Sequence, residues 1–181
     1  MPQVMQSEGL GRLMADVPAT PTHDVAVVIP SFYPAVKEGG PVFTSLHTCR
    51  ELAHAGHKLR VSTTDANLDS RLDVETGRWT DFEPGLRVKY YRETVLRKLS
   101  LSLLFQLWRD LRGADVVHIQ TMFSTPTPIA LFYAWLMRKP VMLTPHGMLG
   151  EWCLNESGPR RLKQFWMRWL VRPFARRVLS V

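Results

Sequence analysis

Apolar runs alternate with amphipathic stretches along most of this chain. Five segments of strand length lie at residues 25–30, 57–64, 86–91, 115–120 and 140–145; the first is a continuous apolar run, and the second alternates around Leu59 and Val61. Apolar residues recur at helical spacing over residues 41–55, 94–111, 128–138 and 160–172, and a sixth apolar run begins at residue 179. Near-continuous apolar strands that alternate with helices are typical of a parallel sheet covered on both faces. The pattern therefore predicts the α/β class, with a doubly wound, mostly parallel, Rossmann-like sheet.

Two segments lack this periodicity. Residues 1–22 show no apolar stripe and no secretory signal, so we expect a flexible leader. Residues 65–85 are polar and are predicted to form a long surface loop. The remaining sequence, residues 23–181, has the length and composition of one globular domain.

A glycine pair separates the first predicted strand from the first predicted helix. Gly39 and Gly40 are followed by Pro41, which suits the first turn of a helix because its missing N–H would have no partner there. Bare backbone at a helix N-terminus can bind phosphate, although an ordinary turn would give the same short motif. The segment lacks both G-x-G-x-x-G and G-x-x-x-x-G-K-[ST], which argues against a dinucleotide site and a P-loop.

Two histidines lie at or near the ends of predicted strands. His146 precedes Gly147 directly after a strand, where an imidazole can bond a sugar hydroxyl or a phosphate, cap the next helix or bond a local carbonyl. His118 lies inside an apolar strand, so it is either a satisfied core histidine or part of the cleft. The two cysteines, Cys49 and Cys153, share no metal-type spacing, and we predict no metal site and a reduced, cytoplasmic protein.

The order of motifs resembles the N-terminal domain of the family 4 retaining glycosyltransferases. The motifs are Ser31-Phe-Tyr-Pro34, Gly39-Gly40-Pro41, Gly56-His57, Asp115-Val-Val-His118 and Thr144-Pro-His-Gly-Met-Leu149. These enzymes have the GT-B fold, in which two Rossmann-like domains face each other across a cleft. The resemblance covers about residues 24–181 and implies that 23–181 is the acceptor-side domain, with the C-terminal donor-binding domain absent.

The resemblance also implies roles for individual residues. Gly39 and Gly40 would contact the donor diphosphate, and His146 would contact the transferred sugar as the catalytic residue. The acceptor side would be lined by His118, Gln120, Phe123 and Ser124. Many relatives carry a second histidine where this chain has Gln120, so the resemblance leaves the role of Gln120 open.

The implied activity is hexosyltransferase-like. A sugar would pass from a nucleotide-sugar donor to a sugar or lipid-linked acceptor with retention at the anomeric carbon, in polysaccharide or glycolipid synthesis. The resemblance implies no cofactor, and we expect no nucleic acid partner. Because relatives bind the nucleotide mostly through the second domain, we expect the 181-residue chain alone to be inactive.

The two halves of the chain differ in net charge. Residues 1–90 contain 9 basic and 11 acidic residues, whereas residues 91–181 contain 14 and 5, so the net charge of +7 comes from the second half. Residues 160–177 contain no acidic residue, and the stripe Leu162, Phe165, Trp166, Trp169 and Leu170 is flanked by Arg161, Arg168, Arg172 and Arg176. This segment predicts either a helix packed on the sheet or a peripheral contact with an anionic membrane on its cytoplasmic face. A non-catalytic module that binds an anionic membrane or partner is the alternative function.

Overall fold

The computed structural model describes residues 21–94, 100–148 and 160–180. The predicted leader therefore lies almost wholly outside the described residues, as does Cys153. The side chains of Leu162, Leu170 and Arg176 are also outside the described part.

One large sheet forms the centre of the molecule. Its strands and those of a small hairpin are β1 (Asp24–Ser31), β2 (Lys58–Thr64), β3 (Ala66–Asn67), β4 (Ser70–Arg71), β5 (Trp79–Glu83), β6 (Leu86–Tyr91), β7 (Val116–Gln120), β8 (Val141–Thr144) and β9 (Val178–Ser180). The large sheet has the order β5-β6-β2-β1-β7-β8-β9, with every described neighbour parallel except β5 and β6. Numbered along the chain, the parallel strands follow the doubly wound order 3-2-1-4-5-6. The predicted fold class is confirmed.

The helices connect these strands on both faces of the sheet. They are α1 (Gly40–His54), α2 (Leu101–Arg112), α3 (Pro126–Leu136) and α4 (Arg160–Phe165). Ser100 begins α2 because its hydroxyl accepts a hydrogen bond from the Leu103 N–H at 3.3 Å. The predicted helix began at residue 94, but residues 95–99 are outside the described part. Among the described residues, no helix is both long and apolar enough to cross a bilayer.

The alternation of side chains along β1 divides the core into two layers. Val25, Val27 and Ile29 pack with α1, whereas Ala26 and Val28 pack with α2 and α3. Residues in β1 are nearly all buried, as expected for a central parallel strand. Because each fully buried Val or Leu contributes roughly 1.5–3 kcal/mol, both faces of the sheet are strongly held to their helices.

A buried polar network fixes α2 against the sheet. The Asp110 carboxylate accepts hydrogen bonds from Ser62 Oγ at 3.0 Å, from Lys89 Nζ at 3.2 Å and from the Tyr91 hydroxyl. All four side chains are at least nine-tenths buried. The network links α2 to β2 and β6 at a defined register.

The prediction of a long loop over residues 65–85 was wrong. The segment contains the β3–β4 hairpin and β5, which pairs antiparallel with β6 at the edge of the sheet. None of the residues of this edge strand is fully buried, and it carries charges such as Asp81, so its sequence lacks the apolar run of a central strand. Two-residue strands are too short to show any periodicity.

The predicted helix over residues 160–172 also differs from the structure. The α-helix ends at Phe165, and a π-helical segment (Trp166–Val171) and a 3-10 segment (Arg172–Arg177) follow. A π-helix has more residues per turn than an α-helix, so the predicted apolar stripe does not stay on one face. Phe165 and Trp169 are more than half exposed, whereas Val171 is buried and Trp166 packs on the core.

Candidate functional site

The candidate site lies at the carboxyl ends of neighbouring strands. The order of the sheet reverses between β1 and β7, and ligands of doubly wound sheets bind beside such a reversal. Strands β1, β7 and β8 end there at Ser31, Gln120 and Thr144, and His146 follows β8 by two residues. The topology therefore brings the predicted residues Gly39, Gly40, His118, Gln120 and His146 to one edge of the sheet.

A chain of hydrogen bonds connects β7 to β8. Gln120 Nε2 lies 3.4 Å from His118 Nδ1, and His118 Nε2 lies 2.9 Å from Thr144 Oγ1. If the Gln120 amide donates to Nδ1, the proton of the imidazole is on Nε2 and is donated to Thr144. His118 is 2% exposed and has partners on both ring nitrogens. Burial, and secondarily the nearby His146, lower the pKa of His118 to about 4, so this ring is neutral at pH 7.

His146 occupies a constrained position beside this chain. Its φ of 47° lies in the left-handed region, and Gly147 follows with a φ of 76°. Burial lowers the pKa of His146, which favours the neutral ring. Its Nε2 atom is buried without a protein partner among the described residues. A neutral imidazole can accept or donate a hydrogen bond at that atom.

A second constrained residue follows β7. Thr121 has a φ of 111°, which is unusual for a β-branched residue, and its N–H donates to the Thr144 carbonyl at 3.0 Å. Its hydroxyl lies 2.7 Å from Ser124 Oγ, which lies 2.9 Å from Thr127 Oγ1. Thr127 in turn donates to the Thr121 carbonyl at 2.9 Å. This ring of bonds holds the strained backbone of the loop, and such strain is common at functional sites.

Buried polar atoms without protein partners are concentrated at this edge. Among the described residues they are Ser31 Oγ, Thr63 Oγ1, Gln120 Oε1, His146 Nε2 and Arg60 Nη2. Arg60 is a separate case, since its Nη2 lies 2.8 Å from the Asp24 carboxylate in an ion pair. The other four belong to the ends of β2, β1 and β7 and to the turn after β8. Buried polar atoms are usually paired, so such a row at one edge indicates a place where a polar ligand can bond.

The glycine pair lies at the start of α1. Gly39 has a φ of 80° and a ψ of −148°, which favours glycine, and α1 begins at Gly40. A Cβ atom at either glycine would meet no heavy atom within 4 Å among the described residues. The backbone is therefore open to a ligand at the positive end of a 15-residue helix.

The β3–β4 hairpin holds the loop that carries these glycines. The Lys37 N–H donates to Asn67 Oδ1 at 3.1 Å, and Glu38 Oε1 accepts from the Leu68 N–H at 3.0 Å. Asn67 could not be recognised from the sequence, because its polar segment shows no strand periodicity. Thr121 and Thr144 were not among the predicted site residues either, although Thr144 ends β8 two residues before His146.

The other predicted site residues lie around this edge or farther away. Ser124 is buried within the hydroxyl ring described above, and Phe123 is partly buried below Lys163 Nζ, which lies 5.8 Å from the ring centroid. Arg161, Arg168 and Arg172 are exposed on the segment after residue 160. They are not brought into the cluster of His118, Gln120 and Thr144.

Comparisons with known proteins bear on the identity of this fold. Among solved structures, the chain is similar to DNA processing protein A from Helicobacter pylori, described for its single-stranded DNA binding mode. The likeness has a TM-score of 0.41 and 14% identity over 84% of this chain and 76% of that chain. No curated protein matches the sequence significantly. A family model described as a glycosyl transferase 4-like domain matches residues 39–181. The chain thus belongs to the glycosyltransferase 4-like family.

Proposed function

We propose that this chain forms the acceptor-side half of an enzyme that transfers a sugar from a nucleotide-sugar donor to a sugar or lipid-linked acceptor with retention of anomeric configuration, in polysaccharide or glycolipid synthesis. Membership of the glycosyltransferase 4-like family implies, in general, a sugar donor and an acceptor as the partners of this chain. The observation that carries the finer proposal is the row of unpartnered polar atoms at Ser31, Thr63, Gln120 and His146, beside the open N-terminus of α1. A polyhydroxylated sugar and a diphosphate need this combination of neutral bonding groups and a positive helix end.

The first part of the mechanism is departure of the nucleotide. When the bond between the anomeric carbon and the phosphate oxygen breaks, negative charge grows on the diphosphate. The backbone at Gly39 and Gly40 and the dipole of α1 would stabilise that charge. His146, neutral at pH 7, would bond a hydroxyl of the transferred sugar through Nε2.

The second part is attack by the acceptor. In a front-face reaction, the acceptor oxygen forms its bond on the side that the phosphate leaves, and the acceptor proton passes to the leaving phosphate oxygen. This route needs no protein nucleophile. The chain from Gln120 through His118 to Thr144 would keep the strand ends, and therefore the acceptor side, in a fixed arrangement. Phe123 and Ser124 belong to the loop that would border the acceptor.

Transfer is tested by release of nucleoside diphosphate from a panel of nucleotide sugars. We propose that a separate donor-binding half completes the site, so the assay compares the 181-residue chain with the whole protein read from its gene. His146→Ala is expected to lower turnover by roughly 10²–10⁴-fold, the usual effect of losing a positioned polar or acid–base group. The control is His47→Ala, because His47 is exposed on α1. Wild-type turnover in His146→Ala would remove His146 from the mechanism.

We also propose a peripheral position on the cytoplasmic face of a membrane. The support is the segment 160–177, which has no acidic residue and exposes Phe165, Trp169 and the predicted arginines Arg161, Arg168 and Arg172. Arg176 belongs to the same basic segment by sequence. Sedimentation with anionic and neutral vesicles at low and high salt tests this contact, and equal binding to both would contradict it. Binding without any transfer by the whole protein would favour a non-catalytic membrane module.

A further inference from the structure

The outer faces of α2 and α3 are unusually apolar. Leu101, Phe105 and Trp108 lie at i, i+4 and i+7 on α2, and all three are exposed, Phe105 by 73%. On α3 the exposed large hydrophobic residues are Phe132, Trp135 and Leu136. We call this surface the α2–α3 face. Large exposed apolar surfaces with several aromatic residues mark interaction sites rather than ordinary solvent contact.

A groove runs between the two helices within this face. It has a volume of about 470 Å³ and is lined by Leu104, Phe105, Pro128, Ile129, Phe132, Tyr133 and Phe174. The Phe174 ring lies 5.8 Å from the Phe132 ring and 5.7 Å from the Trp135 ring, so the groove and the exposed rings are continuous. The Tyr133 hydroxyl already donates to the Leu104 carbonyl at 2.9 Å. The lining is therefore suited to a hydrocarbon chain.

The exposed charged side chains of α2 are positive. Arg109 and Arg112 are exposed on α2, and the Arg109 guanidinium lies 5.3 Å from the Trp108 ring centroid. The only acidic residue in the sequences of α2 and α3 is Asp110, and it is buried against Lys89. Residues 160–177, which pack beside α3, contain no acidic residue. An apolar centre with a cationic edge is complementary to an anionic bilayer.

We propose that the α2–α3 face inserts into the boundary layer of an anionic bilayer and that its groove takes one lipid hydrocarbon chain. This inference rests on the proposed membrane contact, but it assigns the contact to the α2–α3 face. The basic segment of residues 160–177 would then lie beside the inserted surface. A second copy of this chain is a poorer occupant. A two-fold interface places the same patch on both subunits, and the helices α2 and α3 offer no exposed acidic residue to pair with Arg109 and Arg112, since Asp110 is buried.

The position of the groove relates it to the proposed reaction. Phe105 and Leu104 lie in the first half of α2, and Pro128 and Ile129 lie near the start of α3. In a doubly wound sheet, the start of each helix lies at the edge where the preceding strand ends. Helix α3 starts six residues after Gln120, so the groove and the candidate site are at the same edge. A lipid in the groove would therefore present its polar head toward the acceptor loop.

The experiment measures partition of the chain onto vesicles of phosphatidylcholine and of phosphatidylcholine with phosphatidylglycerol in equal parts. The triple variant Phe105→Ser/Phe132→Ser/Trp135→Ser is expected to bind anionic vesicles at least tenfold more weakly than wild type. The matched control is Phe43→Ser, because Phe43 is 42% exposed on α1, across the sheet from α2 and α3. Arg109→Gln/Arg112→Gln should lose only the preference for anionic lipid.

A second measurement does not depend on the folding of the triple variant. Brominated lipid chains should quench tryptophan fluorescence of the wild type, and this quenching should fall in Trp108→Phe/Trp135→Phe. Wild-type binding by the triple variant, or unchanged quenching, would overturn the proposal and leave contact through the basic segment. Self-association that the triple variant abolishes, without vesicle binding, would make the face an interface between copies. Failure of nucleotide-sugar turnover in the whole protein would refute the proposed reaction without changing these vesicle results.

Discussion

Asp110 offers a direct test of what holds α2 in place. Its carboxylate is 4% exposed and accepts hydrogen bonds from Ser62, Lys89 and Tyr91. Asp110→Ala removes the acceptor for all three and leaves the Lys89 ammonium, which is 7% exposed, without its carboxylate partner. Breaking a buried ion pair from one side typically costs about 3–5 kcal/mol, because an uncompensated charge stays buried.

The remaining contacts of Lys89 offset part of this cost, so the expected loss of stability is near the lower end of that range. Lys89 Nζ keeps a long contact of 3.5 Å with Gln106 Oε1 and lies 4.7 Å from the Tyr91 ring centroid. Against this, the hydroxyls of Ser62 and Tyr91 would also lose a buried acceptor. We therefore expect the free energy of unfolding to fall by about 3–4 kcal/mol. A domain with a total of about 5–15 kcal/mol would become marginally stable.

Urea denaturation followed by circular dichroism measures this change. The matched control is Asp81→Ala, because the Asp81–Arg87 ion pair is 2.8 Å long but its carboxylate side chain is 82% exposed. That variant should lose less than about 1 kcal/mol. The double variant Asp110→Leu/Lys89→Met should recover much of the loss, since it removes both buried charges together. If Asp110→Ala and Asp81→Ala had equal effects, the buried network would not be what fixes α2.

Two further predictions concern the candidate site. Gly40→Val should weaken nucleotide-sugar binding measured by calorimetry and change the unfolding free energy little, because its Cβ points into open space; unchanged affinity would leave the glycine pair as a plain turn. The pKa of His118 is lowered to about 4 from 6.5, so the unfolded chain binds more protons between these values and stability falls as the pH falls through this window. The free energy of unfolding should fall by about 3 kcal/mol near pH 4. In His118→Gln, whose amide can still donate to Thr144, the free energy of unfolding should depend less on pH. The same pH dependence in both proteins would refute the lowered pKa.

The sheet could be predicted because its central strands carry an unambiguous signal. A parallel strand buried on both faces, such as β1, is usually apolar at nearly every position, and the continuous run of residues 25–30 predicts this strand directly. The edge strand β5 does not need an apolar sequence, since none of its residues is fully buried. The π-helical segment Trp166–Val171 could not be predicted either, because the helical spacing of apolar residues assumes 3.6 residues per turn.

The candidate site was predictable in position but not in geometry. The sequence marks the strand ends and the glycine pair, and parallel strands of a doubly wound sheet have their carboxyl ends at one edge, so the shared position of Gly39, Gln120 and His146 follows from the sequence. The bond from His118 to Thr144 depends on the register of β7 against β8, which pairs Gln120 with Thr144. Strands β7 and β8 are joined through the helix α3, so no short turn between them shows their register in the sequence.

The two faces of β7 explain how one strand serves both chemistry and packing. Val117 and Ile119 belong to the apolar layer under α2 and α3, and the alternation of side chains sends His118 and Gln120 to the opposite face. His118 pairs in register with Val27, which lies in the layer packed on α1. The polar residues therefore share a face with α1, whose N-terminus carries the open glycine backbone.

A buried polar atom without a partner costs about 1–3 kcal/mol, so the unpartnered atoms at this edge gain most from a ligand that bonds them. The apolar face of α2 and α3 lies on the other side of the same strand, which lets a membrane contact and a sugar site develop without competing for the same side chains.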